Sequence, residues 1–157
     1  MKELNLNIPV KIVSLDELNE KEKSLVELAK DATFRSYAPY SKFKVGAAIA
    51  LSNGEVIVGS NQENAAYPSG TCAERSACFY AHAKYPEAAF EAIAIAARGT
   101  DDKFVDTPAA PCGACRQSLL EYETLAGHNV EVILAGEKEI YVLPSVKSLL
   151  PLAFDSF

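Results

Sequence analysis

Two cysteine-bearing stretches organise this chain, Thr71-Cys-Ala-Glu-Arg75 and Pro111-Cys-Gly-Ala-Cys-Arg-Gln117. The first begins an alanine-rich segment that reaches Lys84 and has high helical propensity. In the second, proline stands where a helix typically begins, and a helix is predicted over residues 112–122. The sequence therefore predicts two helix N-termini, each carrying a cysteine, that could converge on one metal ion.

Further elements are predicted on both sides of these helices. Ser14 to Glu17 has the form of a capping box, and a helix with periodic apolar residues is expected from there to about Ser36. Asn53-Gly54 is a strong signal for a hairpin between two strands. The predicted strands cover residues 43–51, 55–60, 92–97, 130–135 and 139–143, and a last short helix covers 146–150. This order argues for an α/β fold with a mixed five-stranded sheet, in a single domain spanning 1–157.

Composition narrows the class of protein. The 157 residues are 49% hydrophobic and 23% charged, which is ordinary for one globular domain. The net charge of −6 would repel a phosphate backbone, so a nucleic-acid polymer is disfavoured as a partner. The first residues lack a secretion signal, and the longest apolar run, residues 45–51, is too short to span a bilayer. We therefore expect a cytoplasmic protein without a membrane partner.

The spacing of the cysteines favours a metal site. Cys112 and Cys115 would share one helix face and could bind one ion, although a CxxC pair can also be a redox dithiol. A third cysteine, Cys72, weakens the redox alternative. Cys78 and His82 lie about 9 Å and about 15 Å further along the predicted helix, too far to share that ion, and Cys78 is expected in the core. Three protein ligands with one open position are typical of catalytic zinc.

Glu74 has two interpretations. Thr71 to Glu74 is itself a capping box, and an acidic residue is favoured in the first turn of a helix. Because Glu74 follows the proposed ligand Cys72 by two residues, its carboxylate could instead reach a metal-activated water without coordinating the metal. The cysteine context favours this second interpretation.

Taken in this order, the two stretches resemble the signature motifs of the cytidine deaminase family. The resemblance extends to Tyr40-Ser-Lys-Phe-Lys-Val-Gly-Ala-Ala48, Asn61-Gln-Glu-Asn-Ala-Ala-Tyr67 and Leu149-Leu-Pro-Leu-Ala-Phe154. It implies a three-layer α-β-α fold. It also implies hydrolytic deamination of cytidine and 2′-deoxycytidine to uridine and 2′-deoxyuridine in pyrimidine salvage.

The resemblance further assigns roles around the metal. It implies one Zn²⁺ per subunit, held by Cys72, Cys112 and Cys115, with Glu74 as the proton shuttle. Three thiolates leave a formal charge of −1 around Zn²⁺, and Arg75 is implied to offset it through hydrogen bonds to the ligand sulfurs. Arg116, in contrast, is expected on a solvated helix face.

The same resemblance implies a substrate site and an assembly. The substrate is a small nucleoside, and the short members of the family are homotetramers with shared active sites. The residues implied to contact substrate are Asn61 and Glu63 at the sugar 3′-hydroxyl, Phe43 against the base, the Ala73 backbone N–H at the base carbonyl, and Phe154 reaching a neighbour's pocket. Phe157 competes with Phe154 for that last role.

Two alternatives stay open at the level of sequence. One is a deaminase of another aminopyrimidine or aminopurine nucleoside, in which the metal chemistry would be unchanged. The other is a non-catalytic binding module stabilised by zinc, which would tolerate Glu74→Gln. The preference between cytidine and deoxycytidine also stays open, because both sugars carry a 3′-hydroxyl.

Overall fold

The computed structural model describes residues 1–156 and contains three α-helices and six strands within them. The helices are α1 (Glu20–Ala32), α2 (Ala73–Lys84) and α3 (Gly113–Ala126). The strands are β1 (Lys11–Val13), β2 (Lys44–Leu51), β3 (Val56–Ser60), β4 (Phe90–Arg98), β5 (Glu131–Ala135) and β6 (Ile140–Leu143). Short 3₁₀ turns cover Leu15–Glu17, Thr33–Arg35, Tyr67–Ser69 and Val146–Leu149.

The strands form one mixed sheet in the order β1-β6-β5-β4-β2-β3. Strands β4 and β5 are parallel, and every other neighbouring pair is antiparallel. The prediction of five strands is wrong by one, because a sixth strand, β1, pairs with β6 and forms the edge of the sheet. Strand β1 has only three residues, with both Lys11 and Ile12 exposed, so it lacks the alternation of buried and exposed side chains that marks a half-buried strand.

Helices cover both faces of the sheet, which confirms the three-layer prediction. Ala48 of β2 joins α1 in the core on one face. Ala47 and Ile49 of the same strand join α2 and α3 in the core on the other face. Successive side chains of a strand point to opposite faces, so a strand buried on both faces has an unbroken apolar run. The run in β2 is therefore what its central position requires.

The first helix starts later than predicted. The Ser14 capping box is present, with Ser14 N donating to Glu17 Oε2 at 2.7 Å, but it closes only a 3₁₀ turn. Asn19 provides a second cap, since its side chain accepts hydrogen bonds from Lys21 N at 2.9 Å and Glu22 N at 3.0 Å. Helix α1 begins after this second cap and ends at Ala32, before the predicted end at Ser36.

Two glycines bring helices close to the sheet. A Cβ at Gly46 would lie 2.1 Å from the carbonyl oxygen of Ala29, so only glycine allows α1 to approach β2 there. A Cβ at Gly59 would lie 2.6 Å from both the carbonyl oxygen of Ala73 and the backbone nitrogen of Ala77. The start of α2 therefore rests directly on β3, and this contact fixes the position of the first cysteine-bearing stretch.

Candidate functional site

Three cysteine sulfurs meet where α2 and α3 begin. Cys72 and Cys112 are the N-cap residues of α2 and α3, and Cys115 lies in the first turn of α3. The Cys112 Sγ is 3.9 Å from the Cys72 Sγ and 3.5 Å from the Cys115 Sγ, and all three sulfurs lie within 4.8 Å of one another. Because α2 and α3 pack against each other on one face of the sheet, their N-termini are brought together.

The spacing of the sulfurs fits a zinc ion. Zn–S bonds of about 2.3 Å at tetrahedral angles place two sulfurs about 3.8 Å apart. The two measured separations, 3.9 and 3.5 Å, lie close to that value. Cys78 is not part of this cluster, since it is fully buried in the core and its thiol donates to the Arg75 carbonyl oxygen at 3.7 Å. The prediction of Cys78 as a core residue is confirmed.

The surroundings favour negative charge on the sulfurs. Cys72 and Cys112 lie at helix N-termini, where free backbone N–H groups stabilise anions. A hydrogen bond with the Cys115 thiol, together with the Arg75 guanidinium, lowers the pKa of Cys72 to about 5. The same bond and burial raise the pKa of Cys115. Binding of a cation would favour the deprotonated form of all three sulfurs.

Glu74 is a buried carboxyl group beside the sulfurs, with only 4% of its surface exposed. Burial raises the pKa of Glu74, and the negative charge of Cys72 adds to this, while an interaction with the Cys115 side chain partly offsets it. A carboxyl group whose pKa is raised toward neutrality is suited to accept and return a proton. The position agrees with the proton-shuttle hypothesis more closely than with an ordinary surface cap.

The two arginines that follow these motifs have different surroundings. Arg75 Nη2 donates to the Cys72 Sγ at 3.8 Å, which agrees with the implied role of offsetting thiolate charge. Arg116 was predicted on a solvated helix face, and this is wrong. It is half-buried, with Nε donating to the Pro111 carbonyl oxygen at 2.8 Å and Nη1 to the Leu149 carbonyl oxygen at 3.0 Å. Arg116 thus ties the start of α3 to the C-terminal segment.

A cavity of about 560 Å³ opens beside the sulfurs, and Cys72 forms part of its wall. The predicted sugar-binding residues Asn61 and Glu63 both line it. The carboxylate of Glu63 accepts hydrogen bonds from the backbone nitrogens of Tyr40 at 2.9 Å and Ser41 at 3.2 Å. A hydrogen bond with Ser41 lowers the pKa of Glu63, so this group is an anion that only accepts hydrogen bonds.

Three predicted substrate residues lie outside the cavity lining: Phe43, Ala73 and Phe154. Phe43 is partly exposed immediately before β2, and its carbonyl oxygen accepts from Asn61 Nδ2 at 2.9 Å. Ala73 is fully buried at the first position of α2. Phe154 is 67% exposed, and its carbonyl oxygen accepts from Gln117 Nε2 at 2.9 Å. Phe157 lies outside the described residues.

The cavity also contains an aromatic pair that the sequence prediction missed. The rings of Tyr40 and Tyr67 both line the cavity and pack edge to face, with centroids 6.4 Å apart. Both residues stand at the ends of stretches quoted above, so their motif context was the available signal.

Across residues 1–156, no helix has the length and apolar character needed to cross a bilayer.

Comparison with known proteins points to one family. Residues 19–126 match the family model described as the cytidine and deoxycytidylate deaminase zinc-binding region. A cytidine deaminase of Halalkalibacterium halodurans is 39% identical over 130 residues, which cover 83% of this chain and 91% of the relative. One from Sporosarcina psychrophila is 37% identical over 132 residues, covering 84% and 90%. The crystal structure of cytidine deaminase from Burkholderia pseudomallei aligns with a TM-score of 0.72 at 40% identity, covering 87% of this chain and all of that one.

Proposed function

The chain belongs to the cytidine and deoxycytidylate deaminase family, and from this premise we propose that it hydrolyses cytidine and 2′-deoxycytidine to uridine and 2′-deoxyuridine, with release of ammonia. The observation that carries the proposal is the buried carboxyl group of Glu74 beside three converging cysteines, of which Cys72 lines a cavity. This reaction would serve pyrimidine salvage.

Cys72, Cys112 and Cys115 are the proposed zinc ligands, with one ion per subunit. A zinc ion held by three thiolates would lower the pKa of a water molecule and so supply the nucleophile for attack on cytosine C4. Arg75 donates to Cys72 and reduces the net negative charge of the three thiolates, which would make a bound cation a stronger Lewis acid. Removing Arg75 should therefore weaken catalysis without removing the ligands themselves.

Glu74 is the proposed catalytic acid and base. Its carboxylate accepts the proton of the attacking water and delivers it to N3 of the cytosine ring. The same group then assists proton transfer to the departing amino group, which leaves as ammonia. Burial of Glu74 supports this cycle, because a carboxyl group with a raised pKa binds a proton more tightly and can carry it from the water to the cytosine ring.

The substrate contacts are proposed from their places around the cavity. Asn61 and Glu63 bind the sugar 3′-hydroxyl, and both line the cavity near Cys72. Phe43 packs on the base, supported by the hydrogen bond that joins its backbone to Asn61. The Ala73 backbone N–H meets the base carbonyl, which its position next to Cys72 allows.

We further propose a cytoplasmic homotetramer in which Phe154 contributes to a neighbour's active site. Phe79 and Tyr80 are about half exposed on α2, and Phe154 is 67% exposed, so an assembly would bury apolar surface that now faces water. Four free cysteines are consistent with a reducing compartment. Light scattering should give the mass of four subunits. A monomeric mass with full activity would contradict the shared site.

The function is tested by incubating zinc-loaded protein with a panel of nucleosides and measuring ammonia and product. We expect turnover of cytidine and deoxycytidine. Turnover of only another aminopyrimidine or an aminopurine nucleoside would replace this substrate assignment. If no nucleoside in the panel is turned over while zinc stays bound, the chain is a zinc-stabilised binding module and the proposal is wrong.

A further inference from the structure

Three hydrogen bonds fix the orientation of the Asn61 side-chain amide. Its Oδ1 accepts from Val45 N at 2.8 Å and from the hydroxyl of Ser36, while one Nδ2 hydrogen is donated to the Phe43 carbonyl oxygen. An amide oxygen has two lone pairs, so both acceptor sites are used. The second Nδ2 hydrogen has no acceptor among residues 1–156. Asn61 therefore offers the cavity one donor and no acceptor.

The neighbouring Glu63 offers the opposite. Its carboxylate already accepts from two backbone nitrogens, those of Tyr40 and Ser41, and retains lone pairs for a further donor. A hydroxyl group on the ligand would accept from Asn61 and donate to Glu63 at the same time. A group that only accepts leaves Glu63 unpaired, and a position without a polar group leaves both Asn61 and Glu63 unpaired.

We propose that Ser36 is a positioning residue: its hydroxyl is a third anchor of the Asn61 amide and keeps the amide nitrogen aligned with a sugar hydroxyl that also contacts Glu63. The inference rests on the proposed function and extends it to a residue that does not line the cavity. Ser36 follows the Thr33–Arg35 turn and lies between Val45 and Asn61.

The contribution of Ser36 differs from that of Val45. The backbone N–H of Val45 prevents a flipped amide, because the flip would place two donors against each other. It leaves the second lone pair of Oδ1 free, and the Ser36 hydroxyl occupies that lone pair. In Ser36→Ala the amide loses one of its three anchors and can tilt, so that its oxygen competes with Glu63 for the proton of the ligand hydroxyl.

The experiment compares cytidine with 3′-deoxycytidine in the zinc-loaded protein and in Ser36→Ala, Ser36→Thr and Ser24→Ala. Ser24 is exposed on α1, so it is a matched control for loss of a serine hydroxyl. For Ser36→Ala we expect KM for cytidine to rise about 3- to 10-fold, the equivalent of one hydrogen bond, with kcat within about twofold. KM for 3′-deoxycytidine should change by less than about twofold, since the affected contact is absent. Ser36→Thr keeps the hydroxyl and should restore the KM of the parent protein.

Equal losses for both nucleosides, or no rescue by threonine, would overturn the inference, because a general packing defect does not depend on the sugar hydroxyl. The same comparison is made by calorimetric binding in a Glu74→Gln background, where no turnover is needed. If the parent protein releases no ammonia but Ser36→Ala still weakens binding of cytidine alone, the proposed function fails and the positioning role stands. If neither nucleoside binds, both fail.

Discussion

Glu123 of α3 holds three parts of the chain together and provides a quantitative test of the fold. Its carboxylate is 7% exposed. Oε2 accepts from Val130 N at 2.8 Å and Val146 N at 2.7 Å, and Oε1 accepts from Ser145 Oγ at 2.7 Å and Lys147 N at 3.1 Å. One side chain thereby joins α3 to the start of β5 and to the C-terminal 3₁₀ turn.

Two substitutions at Glu123 should lower the free energy of unfolding by different amounts. In Glu123→Gln the amide oxygen can take the place of Oε2, and the amide nitrogen can donate to the Ser145 hydroxyl, which Lys147 N also contacts at 3.0 Å. The free energy of unfolding should then fall by about 1–3 kcal/mol, mainly because a neutral amide replaces the charged acceptor. In Glu123→Ala the backbone N–H groups of Val130 and Val146 lose their partner inside the protein, and we expect about 3–5 kcal/mol.

The measurement is urea unfolding followed by circular dichroism, at one subunit concentration and full zinc loading. Glu121→Ala is the matched control, because Glu121 is exposed on the same helix and should change the free energy of unfolding by less than about 0.5 kcal/mol. The reasoning is refuted if Glu123→Ala and Glu123→Gln lower the free energy of unfolding by the same amount, or if neither lowers it more than Glu121→Ala does.

Three further outcomes are expected. Glu74→Gln should keep stoichiometric zinc and lower kcat by at least about 100-fold in the ammonia assay, and an active variant would remove Glu74 from the mechanism. Cys72→Ala should lose zinc by elemental analysis while Cys78→Ala keeps it, since only the first sulfur lies in the cluster; retained zinc would mean a different ligand set. Gly46→Ala should lower the free energy of unfolding by more than about 3 kcal/mol, because its Cβ would meet the Ala29 carbonyl oxygen, whereas Gly113→Ala meets nothing within 4 Å. A stable Gly46→Ala protein would contradict that close approach.

Hydrophobic pattern and local turn signals determined which elements could be predicted. The Asn53-Gly54 hairpin forms between β2 and β3 as expected, with Gly54 at a φ of +86°. Where a short helix is predicted over residues 146–150, the chain folds as a 3₁₀ turn over Val146–Leu149. Strand β1 was missed because its pairing with β6 is a long-range contact, and three residues of local sequence carry no sign of it. The late start of α1 was missed because two caps, at Ser14 and Asn19, compete within six residues.

Features of the site that depend on short spacing along one helix could be predicted from the sequence. The distance of Cys78 from Cys72 along α2 followed from helix geometry and is matched by its burial in the core. The surroundings of Arg116 could not be predicted, because its acceptor at Leu149 comes from a distant part of the chain. Likewise Ser36 contacts Asn61 only because the turn before β2 lies against the end of β3, which no local pattern reports.

Helix α3 links the cysteine cluster to the C-terminal segment. Cys112 and Cys115 lie at its start. The next two residues contact the C-terminal segment, since Arg116 donates to the Leu149 carbonyl oxygen and Gln117 donates to the Phe154 carbonyl oxygen. The backbone at Phe154 is therefore held by the same turn of helix that carries two sulfurs. If Phe154 completes a neighbour's active site, α3 determines how far the Phe154 side chain lies from the metal site of its own subunit. Assembly and metal binding should then be coupled, because displacement of the first turn of α3 would move both.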